Sequence, residues 1–505
     1  MPETRIDDCL SRREGALYIE EVSSTDLIRR FGSPLFVFSE GQIRRNIRRF
    51  RASFQRGWTA GPVLVMPAVK ANWVSAVQRV VADEGCGADV YSAGELDVAL
   101  RAGFEPSSIS VNGVPKDRGH VERTLEVGAR LTIDSLRDVA ILEGLAPGLR
   151  EPARVRLRLR PAISEFVRRS DFAAEGMVPT DLAALVYKSG LSLDEVIEAG
   201  RRLMALPHVE LVGFHEHHGR HHRSARYWEA QMRAYARAMG RVCRALGGYR
   251  PREISVGGGF AIPRDPHNAA TRYGDPFLFG GLHLLSLGLK RLGSRIRYGV
   301  IDRLLGVVEG RPNLDPAPSI EEYAAATTRT LLAALPEHGI DPDGVTLQLE
   351  PGRAIHGDAG VHLTTVEAIK RMASPIRWTL VSVDTTEFWL TGGRFEHHLH
   401  DYRVANRMDA PRTLKADVVG RSCYGDRLLG AVRIPEVEIG DTFAFLDTGA
   451  YQEVSASNFN AMPRPAAILV TGDRAEVVRR AETLDDVFRR DSVPDHLDSR
   501  ARSRT

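Results

Sequence analysis

Residues 63–102 read VLVMPAVKANWVSAVQRVVADEGCGADVYSAGELDVALRA. They begin with a short apolar run, continue with an amphipathic segment, and then repeat both parts. The same rhythm extends from about residue 34 to residue 349 and is typical of β/α units built around a parallel sheet. Eight short runs are candidate strands, the number that a closed (β/α)8 barrel needs. They cover residues 63–69, 90–92, 108–111, 130–133, 154–159, 210–215, 253–256 and 346–349.

Helices between these strands are predicted from the spacing of apolar residues. Residues 93–102 and 193–205 both place apolar side chains at helical spacing, and Ser192 with Glu195 is typical of a capping box. After about residue 360 the pattern changes to β-rich segments separated by glycine, aspartate and proline turns, which predicts a second, mainly antiparallel domain. The candidate strands there are 378–383, 413–419, 442–446 and 466–471.

The predicted fold class is therefore α/β, a TIM barrel followed by a mainly antiparallel β domain. We expect an N-terminal segment at residues 1–33 that packs on the β domain, the barrel at 34–358 and the β domain at 359–490. Residues 266–317, rich in glycine, leucine and arginine, form an insertion in the barrel. The charged, serine-containing tail at 491–505 is predicted to be disordered.

Composition excludes several classes of protein. The chain has 505 residues, which favours two domains, and its 68 basic and 65 acidic side chains nearly cancel, which argues against a nucleic-acid surface. Its four cysteines show no paired spacing. The first residues are polar and acidic rather than like a signal peptide, and no run approaches ~20 uninterrupted apolar residues. We expect a cytoplasmic protein that binds neither nucleic acid nor membrane.

Lys70 is the first candidate for chemistry. It ends the apolar run VLVMPAVK at residues 63–70, and in a barrel the loops after the strands build the active site. Partial desolvation there would lower its pKa and make the neutral amine available to attack an aldehyde. A plain surface lysine after a strand is the alternative.

Two further segments follow predicted strands at the same rim. Gly257, Gly258 and Gly259 leave backbone N–H groups bare, so that a phosphate can approach closely, although ordinary turns also use such glycines. Glu350-Pro-Gly-Arg353 brings an acid and a bidentate cation to the same rim, where a simple loop ion pair is the alternative. Residues 213–219, GFHEHHG, add imidazoles.

These pieces, in this order, resemble the fold-type III pyridoxal-phosphate decarboxylases, the diaminopimelate and ornithine decarboxylase family. The similarity extends from about residue 34 to residue 475. Its most specific motifs are DVYSAGEL at 89–96, the cysteine loop GRSCYGD at 420–426 and DTGAY at 447–451, with SNFN at 457–460 and PRP at 463–465. The resemblance implies a barrel that binds pyridoxal phosphate and a C-terminal β domain.

The resemblance also implies roles for individual residues. Lys70 would hold the cofactor as a Schiff base, with Asp89 close by, and Glu350 would pair with the pyridine nitrogen. His217 would stack on the cofactor ring. Cys423 would return a proton to Cα after carbon dioxide leaves, although a buried, small hydrophobic cysteine is the alternative. The phosphate would be held by Gly257, Gly258, Gly259, Gly352, Arg353 and the hydroxyl of Tyr451.

In the family that the chain resembles, the cysteine and this tyrosine reach the cofactor of the other subunit. The resemblance therefore implies a homodimer with shared active sites, bridged by Lys188 and Asp426. Arg353, Tyr424 and Tyr451 would contact the amino-acid substrate.

The match weakens where the family recognises its substrate. Tyr424 replaces an acid that binds the distal amino group of the substrate, and the loop is one residue shorter before Asp426. Residues 384–390, DTTEFWL, replace a segment with Arg-Pro and tyrosine, and Arg220 replaces a serine. We therefore expect a non-standard amino acid as substrate, in a pocket that the 266–317 insertion helps to shape.

Three alternatives remain from the sequence. A metal enzyme is suggested by the crowded histidines, yet Gly219 stands where a His-Glu-x-x-His motif needs its second histidine, so no metal is expected. A non-catalytic homologue acting as a binding protein and a racemase on the same barrel are the others. The histidines in question are His215, His217, His218, His221 and His222, with His397, His398 and His400 later.

Overall fold

The computed structural model describes residues 4–5, 8–160, 188–219, 224–262, 284–285, 287–290, 293–307, 317–392, 400–494 and 496–497. The chain opens with a small antiparallel sheet and one helix. The strands are β1 (Thr4–Arg5), β2 (Leu10–Arg13), β3 (Ala16–Ile19) and β4 (Val22–Ser23), and the helix is α1 (Ser24–Phe31).

Next along the chain come β5 (Leu35–Ser39) and α2 (Glu40–Gly57), followed by the barrel. The barrel strands are β6 (Val63–Val65), β7 (Ala88–Val90), β8 (Ile109–Val111), β9 (Arg130–Ile133), β10 (Ala153–Arg158), β11 (Val209–His215), β12 (Glu253–Ser255) and β13 (Thr346–Leu349). The helices among them are α3 (Ser75–Asp83), α4 (Ala93–Ala102), α5 (Arg118–Glu126), α6 (Leu136–Leu145), α7 (Leu193–Met204), α8 (Ala225–Ala245), α9 (Ser294–Val307) and α10 (Ile320–Glu337).

The barrel strands form an 8-stranded sheet in the order β6-β13-β12-β11-β10-β9-β8-β7. The strand pairs are parallel, and the two end strands meet through a bridge between Ala68 and Asp89. The N–H of Gly87 also donates to the carbonyl oxygen of Val65 at 2.9 Å. The predicted barrel is therefore confirmed, with most strand ends shifted by only a few residues.

Serine and aspartate caps determine where many of the helices begin. Ser92, Asp117 and Ser135 each accept a hydrogen bond from a backbone N–H in the first turn of α4, α5 and α6. Before α7, the Glu195 carboxylate accepts from the backbone N–H of Ser192 at 2.8 Å, so the predicted capping box is confirmed. These caps fix the loops at the rim from which the site is built.

The second domain contains β14 (Gly360–Met372), β15 (Trp378–Val383), β16 (Tyr402–Val404), β17 (Leu414–Val419), β18 (Arg427–Ile434), β19 (Thr442–Leu446), β20 (Ala466–Thr471) and β21 (Arg474–Arg479). Short helices α11 (Arg353–His356) and α12 (Leu484–Phe488) flank it. Its strands run in the order β18-β17-β15-β14-β5-β20-β21, with β19 joining β14 and β16. Most pairs are antiparallel, while β15 with β17 and β5 with β20 are parallel.

β5 differs from the predicted domain bounds. Residues 35–39 fall within the predicted barrel, yet they pair with β14 and β20 of the β domain. All five residues are buried in the structure. A strand that is buried on both faces is an unbroken apolar run, and the sequence of such a run does not distinguish a strand of the β domain from a barrel strand. The N-terminal residues Leu10, Leu17 and Leu27 pack in the same apolar cluster as β5 and β20.

Of the 266–317 insertion, the structure describes residues 284–285, 287–290, 293–307 and 317, including α9; the rest lies outside the described residues. The predicted tail lies outside them too, except for residues 491–494 and 496–497. In the described part of the chain, no helix is both long and apolar enough to cross a membrane.

Candidate active site

Lys70 lies at the mouth of the barrel, in the turn that follows β6. Its Nζ is 3.1 Å from Oδ2 of Asp89, which stands on the neighbouring strand β7. The Lys70 side chain is 42% exposed whereas that of Asp89 is 4% exposed, so the amine faces open space and the carboxylate does not. Asn112 donates to the other Asp89 oxygen at 2.6 Å and fixes the carboxylate.

The predicted lowering of the Lys70 pKa is wrong. Burial acts to lower this pKa, but the nearby Asp89 carboxylate outweighs it, assisted by Tyr451 and Glu95, and the pKa lies above its ordinary value. The sequence argument considered desolvation alone and omitted the counter-ion. In this structure Lys70 is a protonated amine in an ion pair.

Glu350, directly after β13, is a buried carboxylate with three donors around it. Oε1 accepts from Arg156 Nη2 at 2.7 Å and from Ser255 Oγ at 3.0 Å, and Oε2 lies 3.0 Å from His215 Nε2. Burial acts to raise the Glu350 pKa, but His215 and Arg156 outweigh it and hold the pKa well below its usual range. Glu350 is thus an anion that can accept a further hydrogen bond.

Arg156 is a site residue that the sequence analysis missed. It lies on β10 inside the barrel, is fully buried, and donates to Thr132 at 2.8 Å, to Asn112 at 2.9 Å and to Gln348 as well as to Glu350. The signal was in the sequence. Arg154, Arg156 and Arg158 alternate with apolar residues along β10, and that period places alternate side chains on the barrel interior.

His215 and His217 end β11 with different roles. Burial lowers the pKa of His215 to about 4, so at neutral pH its ring is uncharged and its Nε2 carries the proton donated to the Glu350 anion. His217 Nδ1 accepts from the backbone N–H of Gly258 at 3.1 Å. Burial, with the positive charges of Lys70 and Arg158, also holds the pKa of His217 well below its usual range.

The three glycines after β12, Gly257–Gly259, form a concave backbone surface, here called the cup, that larger residues could not form. Gly257 has φ +68° and Gly259 has φ +99°, in the left-handed region that favours glycine. A Cβ on Gly258 would lie 2.4 Å from the Glu350 carbonyl oxygen, and one on Gly352 would lie 2.4 Å from the Tyr451 hydroxyl oxygen. The loops at Gly258 and at Gly352 therefore come close to neighbouring groups through backbone atoms that no side chain covers.

Tyr451 belongs to the site of its own chain. Its backbone N–H donates to the carbonyl oxygen of Ala71 at 2.8 Å, and the guanidinium carbon of Arg353 lies 5.2 Å from the centre of its ring. Asn72 also donates to Gly449 at 3.0 Å. The expectation that Tyr451 reaches the cofactor of the other subunit is wrong, because the 447–451 loop is anchored on the Lys70 loop of the same chain.

Cys423 stands apart from this group. Its side chain is exposed, which contradicts the alternative that it is a buried small hydrophobe. Asn460 holds it from two sides: Oδ1 accepts from the Cys423 N–H at 3.1 Å and Nδ2 donates to Sγ at 3.3 Å. These described contacts join Cys423 to the β domain rather than to Lys70 or Glu350.

Asp426 shapes the cysteine loop from inside. Its side chain is buried, and its two carboxylate oxygens accept from the N–H groups of Glu387 and Ser422, each at 2.6 Å. Lys188, its predicted partner across the dimer, is exposed and lies 5.9 Å from the centre of the Tyr91 ring. The bridge between Lys188 and Asp426 stays a prediction.

Tyr424 is 59% exposed and meets the ring of Phe388 edge-on, with ring centres 5.8 Å apart. Phe388 in turn stacks on Phe459 at 4.0 Å. The segment 384–390, where the chain departs from the family, supports this loop, since the Thr385 carbonyl oxygen accepts from the N–H of Arg421 at 2.9 Å. Tyr424, next to the cysteine in the chain, therefore belongs to a cluster of three aromatic rings.

The described histidines among those that suggested a metal have other contacts. His218 meets the Trp228 ring edge-on at 4.5 Å, and His400 Nδ1 lies 3.0 Å from the Leu446 carbonyl oxygen. Within the residues that the structure describes, no three histidine, cysteine or acidic side chains are grouped to hold a metal ion. Arg220, His221, His222, His397 and His398 lie outside the described residues.

Comparison with known proteins decides the family. Residues 40–274 match the family model described as pyridoxal-dependent decarboxylase, pyridoxal binding domain. A diaminopimelate decarboxylase of Actinosynnema pretiosum subsp. auranticum is 31% identical over 485 residues, 94% of this chain and 93% of that protein. The chain belongs to the fold-type III pyridoxal-phosphate-dependent decarboxylases. It is thus a carboxy-lyase, and its cofactor is pyridoxal phosphate.

Other relatives of this decarboxylase agree. A diaminopimelate decarboxylase of Archaeoglobus fulgidus is 27% identical over 96% of this chain and 99% of that protein. The crystal structure of the Methanocaldococcus jannaschii diaminopimelate decarboxylase matches with a TM-score of 0.79 at 24% identity, covering 97% of this chain and 99% of that chain. That likeness shows the fold.

The residues at the barrel mouth fit the cofactor. The Lys70 amine is exposed at the mouth, beside a carboxylate that can take its proton before it bonds to an aldehyde. The bare backbone of Gly257 and Gly258 suits a phosphate, and the anionic Glu350 can accept from a ring N–H. Arg353, buried on the first turn of α11, adds a cation at the phosphate side.

Proposed function

We propose that this decarboxylase acts on a non-standard amino acid whose side chain does not end in an ammonium group. Lys70 binds the cofactor covalently, and Cys423 returns the proton to Cα. The observation that carries the proposal is the cysteine loop: its one carboxylate, Asp426, is buried on backbone N–H groups, while Tyr424 is 59% exposed. A distal ammonium would find no counter-charge on this loop.

The barrel residues would position the cofactor and polarise its ring. When bound, pyridoxal phosphate accepts the electron pair that remains on Cα after the carboxylate leaves as carbon dioxide. Glu350, kept anionic by Arg156 and His215, would accept a hydrogen bond from the pyridine nitrogen. His217, whose Nδ1 accepts a hydrogen bond from the Gly258 N–H, would contact the cofactor ring. These side chains are held before the substrate arrives, so little reorganisation is needed.

Gly257, Gly258, Gly259 and Gly352 supply backbone to the phosphate, with Arg353 and Tyr451. Support comes from the two close approaches at Gly258 and Gly352, each 2.4 Å for an added Cβ. The guanidinium carbon of Arg353 lies 5.2 Å from the centre of the Tyr451 ring, so the cation and the tyrosine are neighbours. Arg353 and Tyr451 are also the groups nearest to a substrate carboxylate in this proposal, together with Tyr424.

Cys423 is suited to deliver a proton because its thiol is exposed and held in one place. Asn460 Nδ2 donates to the sulfur, which leaves the S–H free to point outward. Since the described contacts of Cys423 are not with its own barrel mouth, we propose that it serves the site of a second copy. The active unit is then a homodimer in which Cys423 and Tyr424 complete the partner's site.

Carbon dioxide release by the cofactor-loaded protein tests the substrate proposal. The panel contains meso-diaminopimelate and, in L and D forms, lysine, ornithine, glutamate and amino acids with uncharged or aromatic side chains. We expect at least tenfold higher kcat/KM for an amino acid without a distal ammonium, about 1.4 kcal/mol of discrimination. Equal or faster turnover of meso-diaminopimelate would contradict it.

Diaminopimelate is the second candidate, favoured by the names of full-length relatives at 25–31% identity. Tyr424→Asp separates the two. If a distal ammonium is excluded because this chain lacks the acid that the family has at this position, Tyr424→Asp gains activity on lysine or diaminopimelate relative to the wild type. Tyr424→Phe, the matched control, gains none.

A further inference from the structure

Asn112, directly after β8, lies between the two charged pairs of the barrel mouth. Its side chain is buried. Nδ2 donates to Asp89 Oδ1 at 2.6 Å, and Oδ1 accepts from Arg156 Nη2 at 2.9 Å. The amide therefore connects the carboxylate that pairs with Lys70 to the guanidinium that pairs with Glu350.

The two partners of the Asn112 amide fix its orientation. An ionised carboxylate accepts hydrogen bonds and donates none, whereas a guanidinium donates them and accepts none. A turned amide would direct its oxygen at Asp89 and its NH₂ group at Arg156, and it would lose both hydrogen bonds. Arg156 therefore determines which end of the amide faces Asp89.

Two buried hydroxyl groups support the amide oxygen. Thr132 Oγ1 donates to Asn112 Oδ1 at 2.5 Å and accepts from Arg156 Nε at 2.8 Å. These two bonds and the bond from Arg156 to Asn112 join the three side chains in a closed ring. Ser110 Oγ donates to the same amide oxygen at 3.3 Å. Because all of these side chains are buried, the amide is held by protein groups rather than by solvent.

Asp89 uses its two oxygens for different partners. Oδ2 lies 3.1 Å from Lys70 Nζ, and Oδ1 accepts from Asn112. Burial raises the pKa of Asp89 above its usual value, and the hydrogen bond from Asn112 opposes that rise. Without this donor the carboxylate would take a proton more readily, and a proton lies next to it on the Lys70 ammonium.

We propose that Asn112 is a positioning residue of the cofactor site. Oriented by Arg156, it holds the Asp89 carboxylate as an anion and thereby keeps the proton of the Lys70–Asp89 pair on the lysine nitrogen. This role rests on the proposed function, in which Lys70 and Glu350 contact the cofactor, and it does not depend on which substrate is used.

Other titratable groups also act on this pair. They are Glu95 on α4, His217 after β11, Glu350 after β13 and Tyr451 in the 447–451 loop. All four are kept in the variants used below, so a change in the charge of Lys70 reports on Asn112 and Asp89.

Acetylation of Lys70 by acetic anhydride measures where the proton lies, because only the neutral amine is a nucleophile. The full-length chain is labelled after the cofactor has been removed, and peptide mass spectrometry follows the rate at Lys70. The exposed Lys370 on β14 is the reference in the same digest.

Three variants and one control separate positioning from general damage. The variants are Asn112→Leu, Asp89→Asn and the double variant that carries both changes. The control is Asn406→Leu, since Asn406 also donates to an aspartate, Asp441 at 2.7 Å, but lies in the β domain.

We expect Asn112→Leu to raise the relative labelling rate of Lys70 at least about threefold, which corresponds to about half a pKa unit. Asp89→Asn raises the rate further, because it removes the counter-ion. The double variant reacts like Asp89→Asn alone, because Asn112 acts through Asp89. Asn406→Leu reacts like the wild type. In the cofactor-loaded protein, Asn112→Leu also moves the pH midpoint of the cofactor absorbance to lower pH.

A wild-type labelling rate in Asn112→Leu overturns the proposal, as do effects that multiply in the double variant or an equal rise in Asn406→Leu. A cooperative urea transition shows that each variant is folded. If Asn112→Leu does not fold, Asn112→Ser replaces it with the same expected outcome, since the serine hydroxyl is one bond shorter than the amide. A cofactor bonded to a residue other than Lys70 would defeat the proposed function, while labelling of the cofactor-free chain would still decide the role of Asn112.

Discussion

Replacing Arg156 with methionine tests the buried network beneath the cofactor site. Methionine keeps much of the length of the side chain but removes the charge beside Glu350. The two side chains are 0% and 4% exposed, with Nη2 and Oε1 2.7 Å apart. Removing one partner of a buried ion pair costs about 3–5 kcal/mol, because the other charge stays buried without compensation. Lost hydrogen bonds to Thr132 and Asn112 place the expected cost in the upper half of that range.

The cost depends on pH in a direction that follows from Glu350. Its folded-state pKa lies below the unfolded value, so it contributes stability that is present above about pH 4.5 and is lost as pH falls through the folded pKa. Without Arg156, burial raises the Glu350 pKa, and the carboxyl becomes neutral at moderately acidic pH. The wild-type minus variant difference in unfolding free energy is therefore larger at pH 7 than near pH 4.5.

Urea unfolding of the cofactor-free proteins at both pH values measures this difference. The double variant Arg156→Met/Glu350→Gln is the control, since it removes both charges and should be less damaging than the sum of the two single changes. A cost below about 1 kcal/mol at pH 7, or one that does not change with pH, would refute the idea that Arg156 compensates a buried anion.

Three further outcomes follow from the site and the fold. Gly258→Ala should weaken cofactor binding at least tenfold in a titration of the apoprotein, because the added Cβ lies 2.4 Å from the Glu350 carbonyl oxygen. Gly148→Ala, whose added Cβ meets no atom within 4 Å, should leave it unchanged. Ser135→Ala should lower the unfolding free energy by about 1 kcal/mol, because the Ser135 hydroxyl accepts from the Asp138 N–H at the start of α6, and an unchanged urea midpoint would argue against that cap. Cys423→Ala should keep the absorbance of the bound cofactor and lose most carbon dioxide release, and full activity would exclude Cys423 as the proton donor.

The rhythm of apolar segments predicted the barrel well because its strands are largely buried and several of them are followed by helices with serine or aspartate caps. It could not assign β5, since LFVFS at 35–39 reads like a barrel strand and only tertiary pairing with β14 and β20 places it in the β domain. Apart from the position of β5, the domain bounds stay predictions, as do the homodimer and the cytoplasmic location.

The candidate site was predictable where a motif stands at the end of a strand, as with Lys70, Gly257–Gly259 and Glu350. Electrostatic couplings were not predictable, because they depend on distances across the barrel. Asp89 reverses the expected direction of the Lys70 pKa, and Arg156 reaches Glu350 from a strand far away in sequence. The alternation of arginines with apolar residues along β10 was the sequence signal that pointed to Arg156.

The place where the cofactor is bonded can be measured directly. Borohydride reduction of the cofactor-loaded protein fixes pyridoxal phosphate to its amine, and peptide mass spectrometry locates the modified residue. The structure predicts that the modified residue is Lys70, in the segment 63–72. In Lys70→Ala, the peptide that contains this segment should show no mass increase from the cofactor. A protein that takes up no cofactor, or one that carries it on another lysine, would contradict the assignment of this barrel mouth as the active site.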